Sequence, residues 1–205
     1  MKTEIYKHIE VLVNRYPVLN SVKDEIVEAY FLLVESYKNE GKLLIAGNGG
    51  SAADAEHIVG ELMKGFKLPR KLNENFTDKL ISENEELGTV LAESLQGALP
   101  AIALDGHPAL STAYMNDCEP LLCFAQQVNG YGKAGDVFLG ISTSGLFIPG
   151  AIFAAIIAAS IGKVPHPQKG STSILSLFHG VSIIKAAAKV SEMGALDVFF
   201  LYPLL

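Results

Sequence analysis

The segment from Leu43 to Ser51 constrains the fold most, because it has the pattern of a buried strand, a tight turn and the start of a helix. Leu43-Leu44-Ile45-Ala46 is apolar, Gly47-Asn48-Gly49-Gly50 follows, and residues 51–57 contain no helix breaker. Backbone N–H groups at such a turn lack internal partners and point outward with the positive end of the helix dipole. The sequence therefore predicts an anion site, above all for a phosphate, with Ser51 as N-cap and as a hydroxyl donor to the ligand.

The same turn differs from the two common nucleotide-binding loops. A P-loop requires a lysine directly after its last glycine, and none stands there. A dinucleotide fingerprint requires G-x-G-x-x-G, and Ala52 occupies the position of its last glycine. We therefore expect no nucleotide cofactor. The alternative to an anion site is a strand-to-helix turn without any ligand.

A second loop of the same kind follows the apolar run Val137 to Ile141. It contains Ser142, Thr143, Ser144 and Gly145, and its hydroxyl groups suit phosphate or sugar oxygens. Ligands of open parallel sheets lie outside the carboxyl ends of the strands, so two such loops in one sheet would face one pocket. A Ser/Thr-rich turn that caps the next helix is the alternative.

Residues Gly47 to Glu61, with Gly140 to Gly145, resemble the sugar isomerase (SIS) domain family, and within it the phosphoheptose isomerases and the DnaA initiator-associating protein. The stretch G-N-G-G-S-x-x-D-A-x-H-x-x-x-E carries the resemblance, which covers residues 1 to about 145. It implies an α/β fold: a three-layer, doubly wound and mainly parallel sheet with N-terminal helices. It also implies a homotetramer with these helices at its core, whereas packing of the helices on their own sheet is the alternative.

The resemblance also implies a phosphorylated sugar, such as sedoheptulose 7-phosphate, as substrate. The implied substrate-binding residues are Asn48, Gly49, Gly50, Ser51, Asn116, Asp117, Ser142, Thr143 and Ser144. A cap or turn role is the alternative for Asp117. From spacing alone, His57 and Glu61 share one helical face. They suit two metal ligands, or Glu61 acts alone as a proton-transfer base, or the two form a solvated pair. The resemblance implies that Glu61 moves the proton between C1 and C2, and that both residues belong to an incomplete Zn²⁺ site.

The charge distribution divides the chain. Residues 1–145 hold 20 Asp and Glu and 12 Lys and Arg, whereas residues 146–205 hold 2 and 4. We expect one domain over 1–205, with N-terminal helices in 1–41, a family-like core in 42–145, and a tail in 146–205 that is either divergent or the product of an altered reading frame. The tail lacks the family's Gln-Glu-x-x-His segment, which supplies the general acid and remaining metal ligands. We therefore expect any isomerase activity to be impaired.

Composition and charge limit the possible partners and the cellular location of the protein. A net charge of −6 argues against direct nucleic-acid binding. No signal-peptide pattern opens the chain, and the 17-residue apolar run 146–162 is short for a membrane span, so we expect a cytoplasmic protein without a membrane anchor. The alternatives to an enzyme are a non-catalytic module that binds a replication initiator protein, and a phosphosugar sensor.

Local patterns predict the remaining elements. A helix follows an N-cap at Ser21 and runs to about Asn39, with Gly41 as its C-terminal stop, and Cys118 and Cys123 are two buried thiols. The other predicted elements are a loop over 66–80, a helix over 83–95, a strand over 100–104, helices over 109–115 and 121–128, strands over 173–177 and 196–202, and a helix over 183–193.

Overall fold

The computed structural model describes residues 2–141 and 182–186, the latter by their backbone alone. Seven α-helices lie in this part of the chain: α1 (Lys2–Arg15), α2 (Lys23–Lys38), α3 (Gly50–Met63), α4 (Glu74–Glu83), α5 (Glu85–Ser94), α6 (Pro108–Asp117) and α7 (Cys123–Tyr131). Its strands are β1 (Leu43–Ala46), β2 (Ala101–Ala103), β3 (Val137–Ile141) and β4 (Ser182–Ala186). Two short 3₁₀ helices span Pro17–Val22 and Pro120–Leu122.

The described strands form one parallel sheet in the order β2-β1-β3-β4. Successive residues of β1 face opposite sides, as the pleat of a strand requires. Leu44 and Ala46 pack with Phe124 and Val128 of α7. Leu43 and Ile45 pack on the other side, in a cluster that includes Ala55 and Leu62 of α3 and Leu33 of α2. Helices cover both faces, so the predicted three-layer α/β fold is confirmed.

The N-terminal helices have a small core of their own. Ile5, Ile9 and Leu12 of α1 are buried against Val27 and Tyr30 of α2. The opposite side of α2 joins the sheet through Leu32, Leu33 and Tyr37. Helix α2 therefore packs on its own sheet, and its predicted role at the centre of a tetramer stays a prediction.

The predicted N-cap of α2 needs correction, whereas its predicted end at about Asn39 is confirmed. Ser21 is not its N-cap: it lies in the preceding 3₁₀ helix, where its hydroxyl donates to the Val18 carbonyl, and α2 begins only at Lys23. At the other end, Glu40 adopts the left-handed conformation, with φ 59°, and the Gly41 N–H donates to the Ser36 carbonyl at 2.8 Å. This is a Schellman motif in which Gly41 is needed for close packing, since a Cβ there would lie 2.7 Å from the Gly135 carbonyl oxygen.

Several other predictions were wrong. Helix α4 occupies much of the predicted loop over 66–80, and its N-cap signal is Asn73, whose side chain accepts from the Asn75 N–H at 2.9 Å. Of the two cysteines, Cys118 is exposed. Strand β4 stands where a helix was predicted to begin, in a segment whose Ile183-Ile184 pair is β-branched and favours a strand. The tail's other predicted elements lie outside the described residues.

Candidate functional site

The sheet register brings the first predicted ligand loop to the same edge as the start of the second. Ala46, the last residue of β1, pairs with Gly140 of β3, and the loop Gly47–Gly50 follows directly. Strand β3 ends one residue later at Ile141. Ser142, Thr143 and Ser144 come next in the chain but lie outside the described residues. Their closeness to the first loop therefore stays a prediction. The ends of β1 and β3, from which the two loops start, are neighbours in the sheet.

The turn between β1 and α3 is built by glycines in two different ways. Gly49 is the N-cap, with φ 57° and ψ −122°, a conformation that glycine adopts far more readily than other residues. Gly47 has ordinary backbone angles but no room, because a Cβ there would lie 2.4 Å from the Ser51 carbonyl oxygen. The predicted N-cap Ser51 is wrong: it lies inside the first helical turn and is 3% exposed.

This turn leaves backbone donors open. The N–H of Ser51 donates to the Asn48 carbonyl and the N–H of Ala52 to the Gly49 carbonyl. Within the described part of the chain, the N–H groups of Asn48, Gly49 and Gly50 donate to no backbone carbonyl. All three residues are exposed at the positive end of the α3 dipole. The arrangement suits an oxyanion at the surface of the loop.

Helix α3 places His57 and Glu61 on one face, as their spacing predicts. His57 Nε2 lies 3.9 Å from Glu61 Oε1, and the two side chains are 53% and 19% exposed. A structural zinc ion takes four ligands, and a catalytic one takes three from the protein. Over residues 2–141 and 182–186, no group of three or more His, Cys, Asp or Glu side chains converges on a metal position. The donors in the described part of the chain therefore do not make a zinc site.

The Asn116-Asp117 pair lies in the last turn of α6 rather than between two helices, as was predicted. Both residues are exposed, and Asn116 Nδ2 donates to Asp117 Oδ1 at 2.9 Å. Helix α6 begins at Pro108, close to the carboxyl end of β2, and carries the pair about 13 Å along its axis from that point. Its described packing is against α7 and the 3₁₀ helix Pro120–Leu122.

Sequence reasoning missed Asp105, which follows β2 at the same edge of the sheet. The backbone there is anchored twice: the Leu104 N–H donates to the Ile45 carbonyl and Gln127 Nε2 donates to the Leu104 carbonyl, each at 2.8 Å. Both Asp105 carboxylate oxygens are buried, and no donor in the described residues meets them in hydrogen-bond geometry. A carboxylate directly after a parallel strand is a signal that could have found it.

Burial raises the pKa of Asp105 above its ordinary value, and the nearby carboxylate of Glu56 on α3 raises this pKa further. The backbone N–H groups of Asp105 itself and of Gly47 lower it, as does His107. The Asp105 carboxylate is therefore electrostatically coupled to the first residue of the glycine loop and to the helix that follows it.

Comparison with known proteins identifies this architecture. Residues 10–90 match the family model described as the SIS domain. This match confirms the resemblance deduced from the motifs of the chain.

Its relatives by sequence are phosphoheptose isomerases. The protein of that name from Citrifermentans bemidjiense is 37% identical over 145 residues, which are 71% of this chain and 60% of the relative. The one from Nitratiruptor is 38% identical over 128 residues, or 62% of this chain and 54% of the relative. The aligned part thus spans about three fifths of these relatives or less.

Two solved structures share the fold. The phosphoheptose isomerase of Neisseria gonorrhoeae superposes with a TM-score of 0.61 at 24% identity, covering 98% of this chain and 96% of that one. The phosphoheptose isomerase of Francisella tularensis gives a TM-score of 0.62 at 23% identity, covering 98% and 95%. At this identity the likeness concerns the fold alone. Separately, none of the described helices has the length and apolarity needed to cross a membrane.

Proposed function

We propose that this chain binds a phosphorylated sugar through the loop Gly47–Ser51 and interconverts its aldose and ketose forms, with sedoheptulose 7-phosphate as the substrate. The observation that carries the proposal is the set of three open N–H groups, of Asn48, Gly49 and Gly50, at the amino end of α3. Such a set binds a phosphate without any side-chain charge. The sequence relatives, which are phosphoheptose isomerases, support the choice of a phosphosugar.

In this proposal the phosphate lies on the loop after β1, and hydroxyl groups from the loop after β3 complete its shell. The paired positions Ala46 and Gly140 support this division, because they start both loops from adjacent strands. Ser142, Thr143 and Ser144 are the proposed hydroxyl donors. Asn116 and Asp117 are proposed to orient the sugar hydroxyls.

Glu61 is the proposed base. It follows Gly50 by eleven positions on α3, so it lies about 16 Å along the axis from the start of the helix, with its side chain leaning back toward that start. The carbons that exchange the proton must then lie at the end of the sugar remote from the phosphate. A ketose 7-phosphate, which reacts at C1 and C2, meets this requirement.

The proton balance needs two groups. Glu61 removes the proton from C2 of the aldose and returns it to C1, which leaves the carbonyl at C2. The hydroxyl proton must meanwhile move between the oxygens on C1 and C2, and this transfer needs a second acid–base group. The acid–base side chain that the structure places beside Glu61 is His57, which this proposal assigns to the metal. The second group therefore has to come from residues outside the described ones, or catalysis is impaired. Phosphosugar binding has no such dependence.

Zn²⁺, homotetramer formation and a cytoplasmic location are further parts of the proposal that rest on the family resemblance. His57 and Glu61 would be the zinc ligands contributed by α3, their Nε2 and Oε1 atoms being 3.9 Å apart. Because the described donors do not complete a zinc site, no proton transfer is assigned to the metal.

The test is titration calorimetry with sedoheptulose 7-phosphate, followed by an isomerase assay on the same protein. We expect binding, and any turnover should vanish in Glu61→Gln while binding persists. Glu93→Gln, which alters an exposed glutamate of α5, is the matched control and should change neither. Absence of binding at millimolar ligand would refute the proposal.

Two other results would redirect the assignment. Tight binding with no turnover in the unaltered chain would make it a phosphosugar sensor. Capture of a replication initiator protein by a chain that binds no sugar phosphate would favour the non-catalytic alternative.

A further inference from the structure

The turn after β2 holds a group of buried polar atoms that the proposed chemistry does not use. Both carboxylate oxygens of Asp105 and Nε2 of His107 are buried without a hydrogen-bond partner among the described residues. Burying an ionisable group without partners costs free energy, so its presence calls for an explanation. A simple turn would need only an asparagine or a serine at this position, which would carry no charge.

The backbone around Asp105 is rigid enough to aim that side chain. Leu104 is bonded to β1 through its N–H and to Gln127 of α7 through its carbonyl, and Gln127 is itself 3% exposed. On the other side, His107 is the N-cap residue of α6, and its ring centroid lies 5.8 Å from that of Tyr131 on α7. Asp105 is therefore held between two anchored positions.

Asp105 lies beside the glycine loop. The parallel pairing of Ile45 with Ala103 brings the residues just beyond both strands to the same level. The Gly47 N–H lowers the pKa of Asp105, although it does not meet either carboxylate oxygen in hydrogen-bond geometry, while Glu56 on α3 raises this pKa and His107 lowers it. Both carboxylate oxygens are shielded from solvent, which favours an action of Asp105 on the loop backbone over direct contact with a bound sugar.

We infer that Asp105 is a positioning residue for the phosphate loop: its carboxylate holds the Gly47 N–H and thereby directs the three following N–H groups toward the ligand. The inference rests on the proposed function, since it assumes that those N–H groups bind phosphate. Gly47 suits the role, because it is buried and locked against the Ser51 backbone. A displacement of Gly47 would therefore move both the loop and the first turn of α3.

The contact itself is tested by NMR on the full chain, without any ligand. Labelling with carbonyl-¹³C alanine and ¹⁵N glycine selects glycines that follow an alanine, and the sequence contains only Gly47 and Gly135 in that position. Ala134→Ser, at an exposed site, removes the Gly135 signal and so assigns the Gly47 signal. We expect the Gly47 amide proton to titrate with a midpoint above the ordinary aspartate pKa.

Two variants identify the titrating group. Asp105→Asn should abolish the Gly47 titration. Glu56→Gln should keep it but move its midpoint to lower pH, because the Glu56 charge raises the pKa of Asp105. A Gly47 signal that does not titrate, or that titrates unchanged in Asp105→Asn, would overturn the inference whatever the chain binds.

The consequence for binding is tested with sedoheptulose 7-phosphate and, separately, inorganic phosphate. Asp105→Ala should weaken both affinities about tenfold, the loss expected for one hydrogen bond of about 1.4 kcal/mol. Asp105→Asn should restore most of that loss, because its amide oxygen still accepts from Gly47. If turnover is present, Asp105→Ala should raise KM and leave kcat nearly unchanged.

The outcomes separate the two proposals. If the unaltered chain binds neither compound, the proposed function fails, while the Gly47 titration still decides whether the contact exists. If the chain binds but Asp105→Ala binds equally well, or Asp105→Asn binds as weakly as Asp105→Ala, the positioning role fails and the proposed function stands.

Discussion

Two aspartates at opposite edges of the sheet have carboxylates shielded from solvent, and the surroundings of these carboxylates differ. Asp136 precedes β3 at the amino edge and is 2% exposed. Its carboxylate accepts from the Lys42 N–H at 3.0 Å, from the Lys133 N–H at 2.7 Å and from Lys42 Nζ at 2.5 Å. Asp105 follows β2 at the carboxyl edge and has no hydrogen bond of comparable geometry among the described residues.

Asp136 therefore stabilises the fold, whereas burial of the Asp105 carboxylate costs free energy. Asp136 ties the start of β1 to the start of β3, whose backbones are also joined by the Val137 N–H and the Lys42 carbonyl. Its burial is compensated by its partners. Asp105 lacks such compensation, and uncompensated polar groups in folded proteins concentrate where ligands bind. The amino edge thus serves the fold, and the carboxyl edge serves the proposed site.

The largest predicted effect concerns the amino edge. Asp136→Ala should lower the free energy of unfolding by about 3 kcal/mol, because it removes three hydrogen bonds and leaves the Lys42 charge without its buried partner. Urea unfolding at pH 7 measures the change. Asp78→Ala on the exposed face of α4 is the control and should shift the stability by less than about 0.5 kcal/mol. Equal effects of the two variants would contradict the contrast between the edges.

The second prediction concerns the glycine loop. Gly47→Ala should destabilise the chain by about 1–3 kcal/mol, because the new Cβ would lie 2.4 Å and 2.5 Å from Ser51 backbone atoms and the loop must shift. It should also weaken phosphate binding, which calorimetry measures.

Gly50→Ala is the matched control for that substitution. A Cβ at Gly50 meets no atom within 4 Å, and alanine favours the helix. We expect its stability to be unchanged or slightly higher. Comparable losses in both variants would mean that the loop tolerates no side chain anywhere, rather than being locked at Gly47.

The glycine loop also shows what the sequence could predict and what it could not. The strand-turn-helix at 43–63 is encoded locally: an apolar run, glycines and an unbroken helix follow one another, so its existence and position were predictable. The exact cap was not, because Ser51 is a good N-cap by propensity, whereas the packing of Gly47 on Ser51 moves the cap to Gly49. Propensity gave way to a tertiary contact.

The part of the site that was missed is not local. Asp105 lies level with Gly47 only because β2 and β1 are neighbours in the sheet, although the two residues are far apart in the chain. A pattern search along the chain cannot see this pairing. The same limitation applies to Asp136, whose partner Lys42 lies 94 residues away.

The helical hairpin of α4 and α5 shows a different failure. Its residues were predicted as a loop and a later helix, because the segment lacks a clear apolar period. In the structure α4 packs mainly on α5, the described residues of α4 include no buried side chain, and Phe76 and Leu87 are 48% and 62% exposed. A helix that buries little leaves little periodicity to detect. Its only local signals were the asparagine caps at Asn73 and Asn84.

The smallest predicted effect is the pH dependence of the free energy of unfolding that Asp105 causes, and its sign tests the comparison of the two aspartates. The folded-state pKa of Asp105 is raised above its ordinary value of 3.8. Between the unfolded and the folded pKa the folded chain holds the proton while the unfolded chain releases it, so stability falls as the pH rises through this window. Asp105→Asn removes the penalty. The variant should therefore match the parent near pH 3.5 and become the more stable of the two as the pH rises.

Urea unfolding at several pH values from about 3.5 to 7 measures the difference between the two chains, which should reach a plateau once Asp105 is ionised in the folded state. Asp136→Asn is the comparison that decides the interpretation, since it also exchanges a buried carboxylate of the sheet for an amide. It should lose stability, because Lys42 Nζ then lacks a charged partner. A loss of stability in Asp105→Asn that grows with pH would mean that the Asp105 carboxylate is satisfied by partners, and the two edges would then be alike.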